Sequence, residues 1–118
     1  MTTPEGYTKK RLRKILAQYD GMYTYWPVPS GFGRTTVDVL GCYRGRFFMV
    51  EAKAEEKKPT LKQTIELNNA EAAMGKTFVM AGPQDPAFDD LVAWLDELTR
   101  TIPYDPHLTP DQVSRRPI

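Results

Sequence analysis

Two strand-like runs separated by only two residues constrain this chain more than any other feature. Residues 36–43 and 46–54 are rich in β-branched, aromatic and apolar side chains, and Arg44-Gly45 between them is a short turn signal. With those two residues as the loop, Tyr43 pairs with Arg46 and Asp38 falls directly opposite Glu51. Directly opposed residues share a face with Cβ atoms about 4.5–5.5 Å apart, and like charges there repel unless a cation lies between them. A divalent ion meets that requirement. A three-residue loop would turn Asp38 to the other face and remove the argument.

The same register puts Lys53 on the face of Glu51, because side chains alternate with period two, and offers the Ala52 carbonyl as a further oxygen ligand. Phe48, Val50 and Ala52 then point the other way. Mg2+ takes oxygen ligands, needs few carboxylates and keeps several waters, one of which is available as a nucleophile. Lys53 would orient that water or offset charge on a phosphate. Glu-x-Lys alone is a weak signal, and its plainer reading is a solvated pair on an ordinary strand. The carboxylate across the hairpin, flanked by apolar strands, is what favours a site.

The chain has 118 residues, enough for one domain with a real core and too few for two. It has no run of about 18 apolar residues, so no membrane-spanning helix is expected, and Met-Thr-Thr-Pro-Glu-Gly-Tyr lacks the apolar stretch of a secretory signal. Cys42 is the only cysteine and His107 the only histidine. An internal disulfide and a Cys/His zinc cluster are therefore both excluded, which suits a reducing compartment.

A net charge of +1 conceals a division: residues 1–64 carry 12 Lys/Arg against 6 Asp/Glu, and residues 65–118 carry 4 against 9. Arg34, Arg44, Arg46, Lys57, Lys58 and Lys62 lie in segments flanking the proposed metal site. Such positions neutralise backbone phosphates without reading sequence, although any one of them taken alone reads better as a solvated surface charge.

The remaining pattern predicts one α/β unit. Residues 4–19 read as a helix with Thr3 as N-cap, Pro4 at the first helical position and Leu12, Ile15, Leu16 and Tyr19 as its apolar stripe. Asp20-Gly21 ends it, residues 22–28 form a strand with Pro27 near its end, and residues 29–33 form a loop. After the hairpin and a charged connection, Thr60 opens a second helix reaching about Met74, with Gly75 as its stop. Residues 76–81 make a short strand. Asp85-Pro86 caps a third helix, whose Phe88, Leu91, Val92, Leu95 and Leu98 recur with helical period. From Ile102 on, four prolines and no hydrophobic periodicity suggest an arm or tail.

This α-β-β-β-α-β-α order, with Asp38 on one strand and Glu51-Ala52-Lys53 on the next, resembles the PD-(D/E)XK nuclease superfamily. More narrowly it is similar to the small stand-alone VRR-NUC domains, many from phages and bacteria, which are Holliday-junction-resolvase-like. The likeness spans residues 5 to about 81 and rests on Glu5, Ser30-Gly31, Val37-Asp38, Gly45-Arg46, Glu51-Ala52-Lys53, Gln63, Gly75-Lys76 and Phe78-Val79. Val37 stands where the family has proline, a residue that shapes the bend and binds no metal.

The resemblance implies a restriction-endonuclease-like α/β core, with a mixed sheet of about four strands flanked by helices. Residues 1–101 would form the nuclease domain and residues 102–118 a Pro-rich arm. It implies catalytic roles for Asp38, Glu51, Lys53, Glu5 and Gln63, with Mg2+ or Mn2+ held by Asp38, Glu51 and the Ala52 carbonyl, and Glu5 as an additional candidate ligand. Two of these have other readings. Glu5 is also a favourable charge at a helix N-terminus, and Thr60-x-x-Gln63 is a capping box. Ser30 and Arg34 join Arg44, Arg46, Lys57, Lys58 and Lys62 as DNA contacts, Ser30 reading also as a turn residue. Trp26 and Tyr25 are candidates to stack on unpaired bases, with core packing as the default.

The expected function is a Mg-dependent endodeoxyribonuclease acting on branched DNA such as four-way junctions, as a homodimer, in the cytoplasm of a bacterial or phage-infected cell. The alternatives are a nonspecific, flap or single-strand nuclease of the same fold, a catalytically silent DNA-binding domain, or a purely structural α/β protein.

Overall fold

Hydrophobic alternation across the hairpin fixes which side of the sheet each helix covers. The computed structural model describes residues 2–28 and 37–104. It runs α1 (Pro4–Leu16), β1 (Tyr23–Tyr25), β2 (Val39–Tyr43), β3 (Arg46–Lys53), α2 (Leu61–Ala72), β4 (Lys76–Ala81) and α3 (Ala87–Thr101). The strands form one mixed sheet in the order β1-β2-β3-β4, antiparallel except for the parallel β3–β4 pair that α2 connects.

The two-residue loop holds. Tyr43 pairs with Arg46, and Arg44 and Gly45 both have positive φ, as a hairpin turn matched to strand twist requires. Val39, Tyr43, Phe48, Val50 and Ala52 therefore face one side. There they are buried against Leu12 and Leu16 of α1 and Phe88, Leu91, Leu95 and Leu98 of α3, with Phe78 and Met80 of β4. The opposite face is smaller: Leu67 and Ala70 of α2 cover Val37 and Met49, with Leu40 and Val79 at the margin. Gly41 belongs to the first face, because a Cβ there would lie 2.3 Å from the Phe48 ring. Only a residue without a side chain lets that ring cross β2.

Several boundaries differ from the sequence reading. α1 stops at Leu16, and the chain continues in tight turns, with the N–H of Gln18 and Tyr19 donating to the carbonyls of Ile15 and Leu16. This swings the Tyr19 ring edge-on to Tyr43, where its hydroxyl donates to Asp96 of α3. β1 is only three residues long, since Trp26 turns under the Arg13 guanidinium and Pro27 has no N–H for a ladder.

α2 ends at Ala72, and Met74 rather than Gly75 takes the left-handed conformation, at φ 70. The N–H of Met74 bonds to Glu71 and that of Gly75 to Ala70, a Schellman arrangement. Gly75 has a different task, because a Cβ there would meet Phe47 at 2.8 Å. Asp85 lies one residue before the α3 N-cap, Pro86: one of its oxygens accepts the Ala87 N–H while the other accepts the Ala81 N–H at the end of β4. The tail from residue 105 lies outside the described residues.

Candidate functional site

The hairpin ladder ends at Val39↔Val50, one step before Asp38 and Glu51. Beyond that pair the chain bends, and the side chains take over the ladder's hydrogen bonds. The Asp38 N–H donates to Glu51 Oε1 at 3.0 Å, and the Ala52 N–H donates to Asp38 Oδ2 at 2.8 Å. The other carboxylate oxygens face ammonium groups. Lys53 Nζ is 3.0 Å from Glu51 Oε2, and Lys9 Nζ is 3.1 Å from Asp38 Oδ1. A strand residue turns its N–H and C=O to the same edge, so the Ala52 carbonyl lies on the Asp38 side.

α1 is pinned over this end of the sheet by a buried polar group. Thr8 has no exposed surface, and its hydroxyl donates to the Lys53 carbonyl at 2.9 Å, an oxygen that also accepts the Gly82 N–H. Thr8 follows the spacing of Leu12 and Leu16, so the apolar stripe of α1 delivers it to β3. One residue on, Lys9 reaches both Asp38 and Glu5, the latter at 3.3 Å.

Glu51 is 1 % exposed. Burial, then the hydrogen bond and charge of Asp38, raise its carboxyl to about 7, while Lys53 works in the opposite direction. Burial alone would lower the Lys9 ammonium's pKa, but its hydrogen bonds and charge interactions with Asp38 and Glu5 outweigh it and the net shift is upward. Three carboxylates thus meet two ammonium groups, and a proton near neutrality or a further cation balances the cluster.

Asp38, Glu51, Ala52 and Lys53 come together as the register implied, although Asp38 reaches Glu51 through a bend and not as a paired ladder residue. Glu5 approaches only through Lys9, which bridges it to Asp38. Among the described residues no three of His, Cys, Asp and Glu gather as a metal-holding group. Gln63 completes the capping box: its Oε1 accepts the Thr60 N–H while the Thr60 hydroxyl accepts the Gln63 N–H.

Of the expected DNA contacts, Lys57, Lys58 and Lys62 are exposed in the segment leading from β3 into α2. Arg46 is exposed at the hairpin turn, five positions and about 17 Å along β3 from Glu51. Arg44 is otherwise engaged: it donates to the Ile102 carbonyl and lies over the Tyr43 and Tyr104 rings. Ser30 and Arg34 lie outside the described residues. Trp26 packs at the margin of the core, whereas Tyr25 is 53 % exposed. Sequence reasoning passed over Thr8 and Lys9. The available signal was a hydroxyl on an apolar stripe with a lysine beside it, four residues after Glu5.

No family model, curated protein or solved structure matches the chain. Among the described residues no helix is long and apolar enough to cross a membrane.

Proposed function

We propose that this chain is a metal-dependent endodeoxyribonuclease of the restriction-endonuclease-like type, resembling the VRR-NUC domains, that hydrolyses phosphodiester bonds in branched DNA. The observation that carries the reading is the meeting of Asp38 and Glu51 at the open end of the hairpin, with the Ala52 backbone and the Lys53 ammonium beside them. The order of elements and the parallel β3–β4 pair agree with such a core.

The donor set fits a hard divalent cation. Asp38, Glu51 and the Ala52 carbonyl would hold Mg2+ or Mn2+, and two carboxylates suffice for an ion that keeps water and phosphate oxygens in its remaining positions. When bound, the ion would stabilise the negative charge that develops on a phosphoryl oxygen. The protein's part is positioning. Thr8 and Gly82 fix the Lys53 backbone, so its ammonium stands beside Glu51, where it orients the attacking water and offsets charge on the phosphate. Lys9 holds the outer oxygen of Asp38 in place. Lys57, Lys58 and Lys62 neutralise phosphates on the flanking backbone. Symmetrical cutting of a four-way junction requires two such sites related by a two-fold axis, so a C2 homodimer belongs to this reading.

Incubation with linear, flapped and four-way DNA, with and without Mg2+ or Mn2+, tests it. Metal-dependent hydrolysis that favours branched forms is expected. Salt-sensitive binding with no hydrolysis of any form would point instead to a silent DNA-binding domain.

A further inference from the structure

The face of the sheet that carries Glu51 and Lys53 is only half covered. α2 lies over Met49 and Val79 through Leu67 and Ala70 and reaches Leu40 only at its margin, and among the described residues no helix packs closely on β1. Antiparallel partners share a face, so the pairing defines successive rows. Tyr23, Cys42 and Phe47 form one row and Tyr25, Leu40 and Met49 the next; Glu51 of β3 stands one step further, where Asp38 meets it through the bend. Rows are about 7 Å apart, two residues along a strand.

The open part of these rows is aromatic. Tyr23 is 64 % exposed, Tyr25 53 % and Phe47 42 %. Their rings need no solvent-facing role in the fold: the core on the other face closes without Tyr23 or Tyr25, and Phe47 leans on Gly75. Beyond the carboxylate row, β3 leads into the segment bearing Lys57 and Lys58 and on to Lys62, all exposed; Glu55 and Glu56 precede them. The rings and Glu51 thus share one sheet face, and the chain leaving β3 beyond Glu51 carries the exposed ammonium groups. Sequence-tolerant binding of single strands uses aromatic side chains under the bases and cations along the backbone.

We infer that Tyr23 and Tyr25, with Phe47 beside them, are a stacking platform for unpaired DNA bases adjoining the phosphate held at Asp38, Glu51 and Lys53. The inference rests on the proposed nuclease reading for its direction, and among branched substrates it favours flapped DNA with a single-stranded arm over a fully paired four-way junction. Stacking recognises the base and not the charge, which separates it from the lysines' contribution.

Cys42, the one cysteine of the chain, sits in the Tyr23 row and reports on that face. The full chain without added metal is mixed with oligothymidylate, an abasic strand of equal length, and duplex, and binding is followed by anisotropy and by the rate of Cys42 alkylation. Oligothymidylate should bind at least about fivefold more tightly than the abasic strand and should slow alkylation. Tyr25→Ala and Tyr23→Ala should each erase about fivefold or more of that preference, and Tyr25→Phe should keep it. Equal binding of the abasic strand, or unchanged preference in both alanine variants, overturns the platform. So does alkylation that slows with protein concentration alone, which would mean a second copy covers the face. Base-dependent binding without cleavage in Mg2+ would sink the nuclease reading and leave the platform standing, whereas cleavage indifferent to both tyrosines would do the reverse.

Discussion

Glu51 accepts the backbone N–H of Asp38 across the end of the β2–β3 hairpin while its own carboxyl group is almost entirely removed from solvent. Two acidic side chains are thereby held within one small volume, and the energetic consequences can be measured without any substrate.

Stability should fall as pH rises through neutrality. Glu51 titrates at about 7 in the fold against an ordinary value of 4.5, so the folded state binds the extra proton between those values. The resulting stabilisation is complete below about 4.5 and is lost as pH passes about 7, on the order of 3 kcal/mol. Urea denaturation at about pH 5 and about pH 8 should show this loss in the native chain and little of it in Glu51→Gln, which stays neutral throughout. An unchanged slope in the variant would contradict the assignment.

Lys53→Met removes the ammonium beside Glu51 and keeps most of the stem. Turnover should drop at least tenfold with a smaller change in metal affinity, because the amine is not a ligand. Its stability cost should grow above about pH 7, where Glu51 would be left charged without its partner. Parallel metal titration and single-turnover cleavage separate the two effects, and equal loss of both would remove the role given to Lys53.

Gln63 has its amide oxygen on the Thr60 N–H, so capping accounts for it. Gln63→Ala should cost about 0.5–2 kcal/mol and leave turnover per folded molecule nearly unchanged. Thermal unfolding and specific activity on the same preparation decide between cap and catalyst.

Met74 occupies a left-handed position with 93 % of its surface exposed. Met74→Gly should therefore stabilise the chain by about 0.5–1 kcal/mol, because glycine adopts that conformation without the Cβ penalty and no packing is lost. A fall in the unfolding midpoint would show that the Met74 side chain does more than its exposure suggests.

The order of elements and the pairing Tyr43↔Arg46 were legible because each depends on local signals: period-two and helical alternation, and a two-residue turn with glycine. So was the meeting of Asp38 with Glu51, which follows from that register. The bend at Asp38 was not, since it arises where side-chain acceptors outcompete the ladder. Nor was Lys9, whose place over Asp38 depends on Thr8 docking α1 onto the Lys53 carbonyl, a contact between residues 45 positions apart. Gly75 invited the wrong inference for a similar reason. Its lack of a side chain serves Phe47 from another strand, and the helix terminus falls to Met74.

The most direct test of the central claim compares the native chain with Asp38→Asn and Glu51→Gln on flapped and four-way DNA in Mg2+, with binding measured alongside. Each substitution removes one carboxylate charge and leaves the exposed lysines in place. The account predicts that both variants lose cleavage by about a hundredfold or more while DNA binding stays within a few-fold of native. Cleavage retained at native rates in either variant would contradict it.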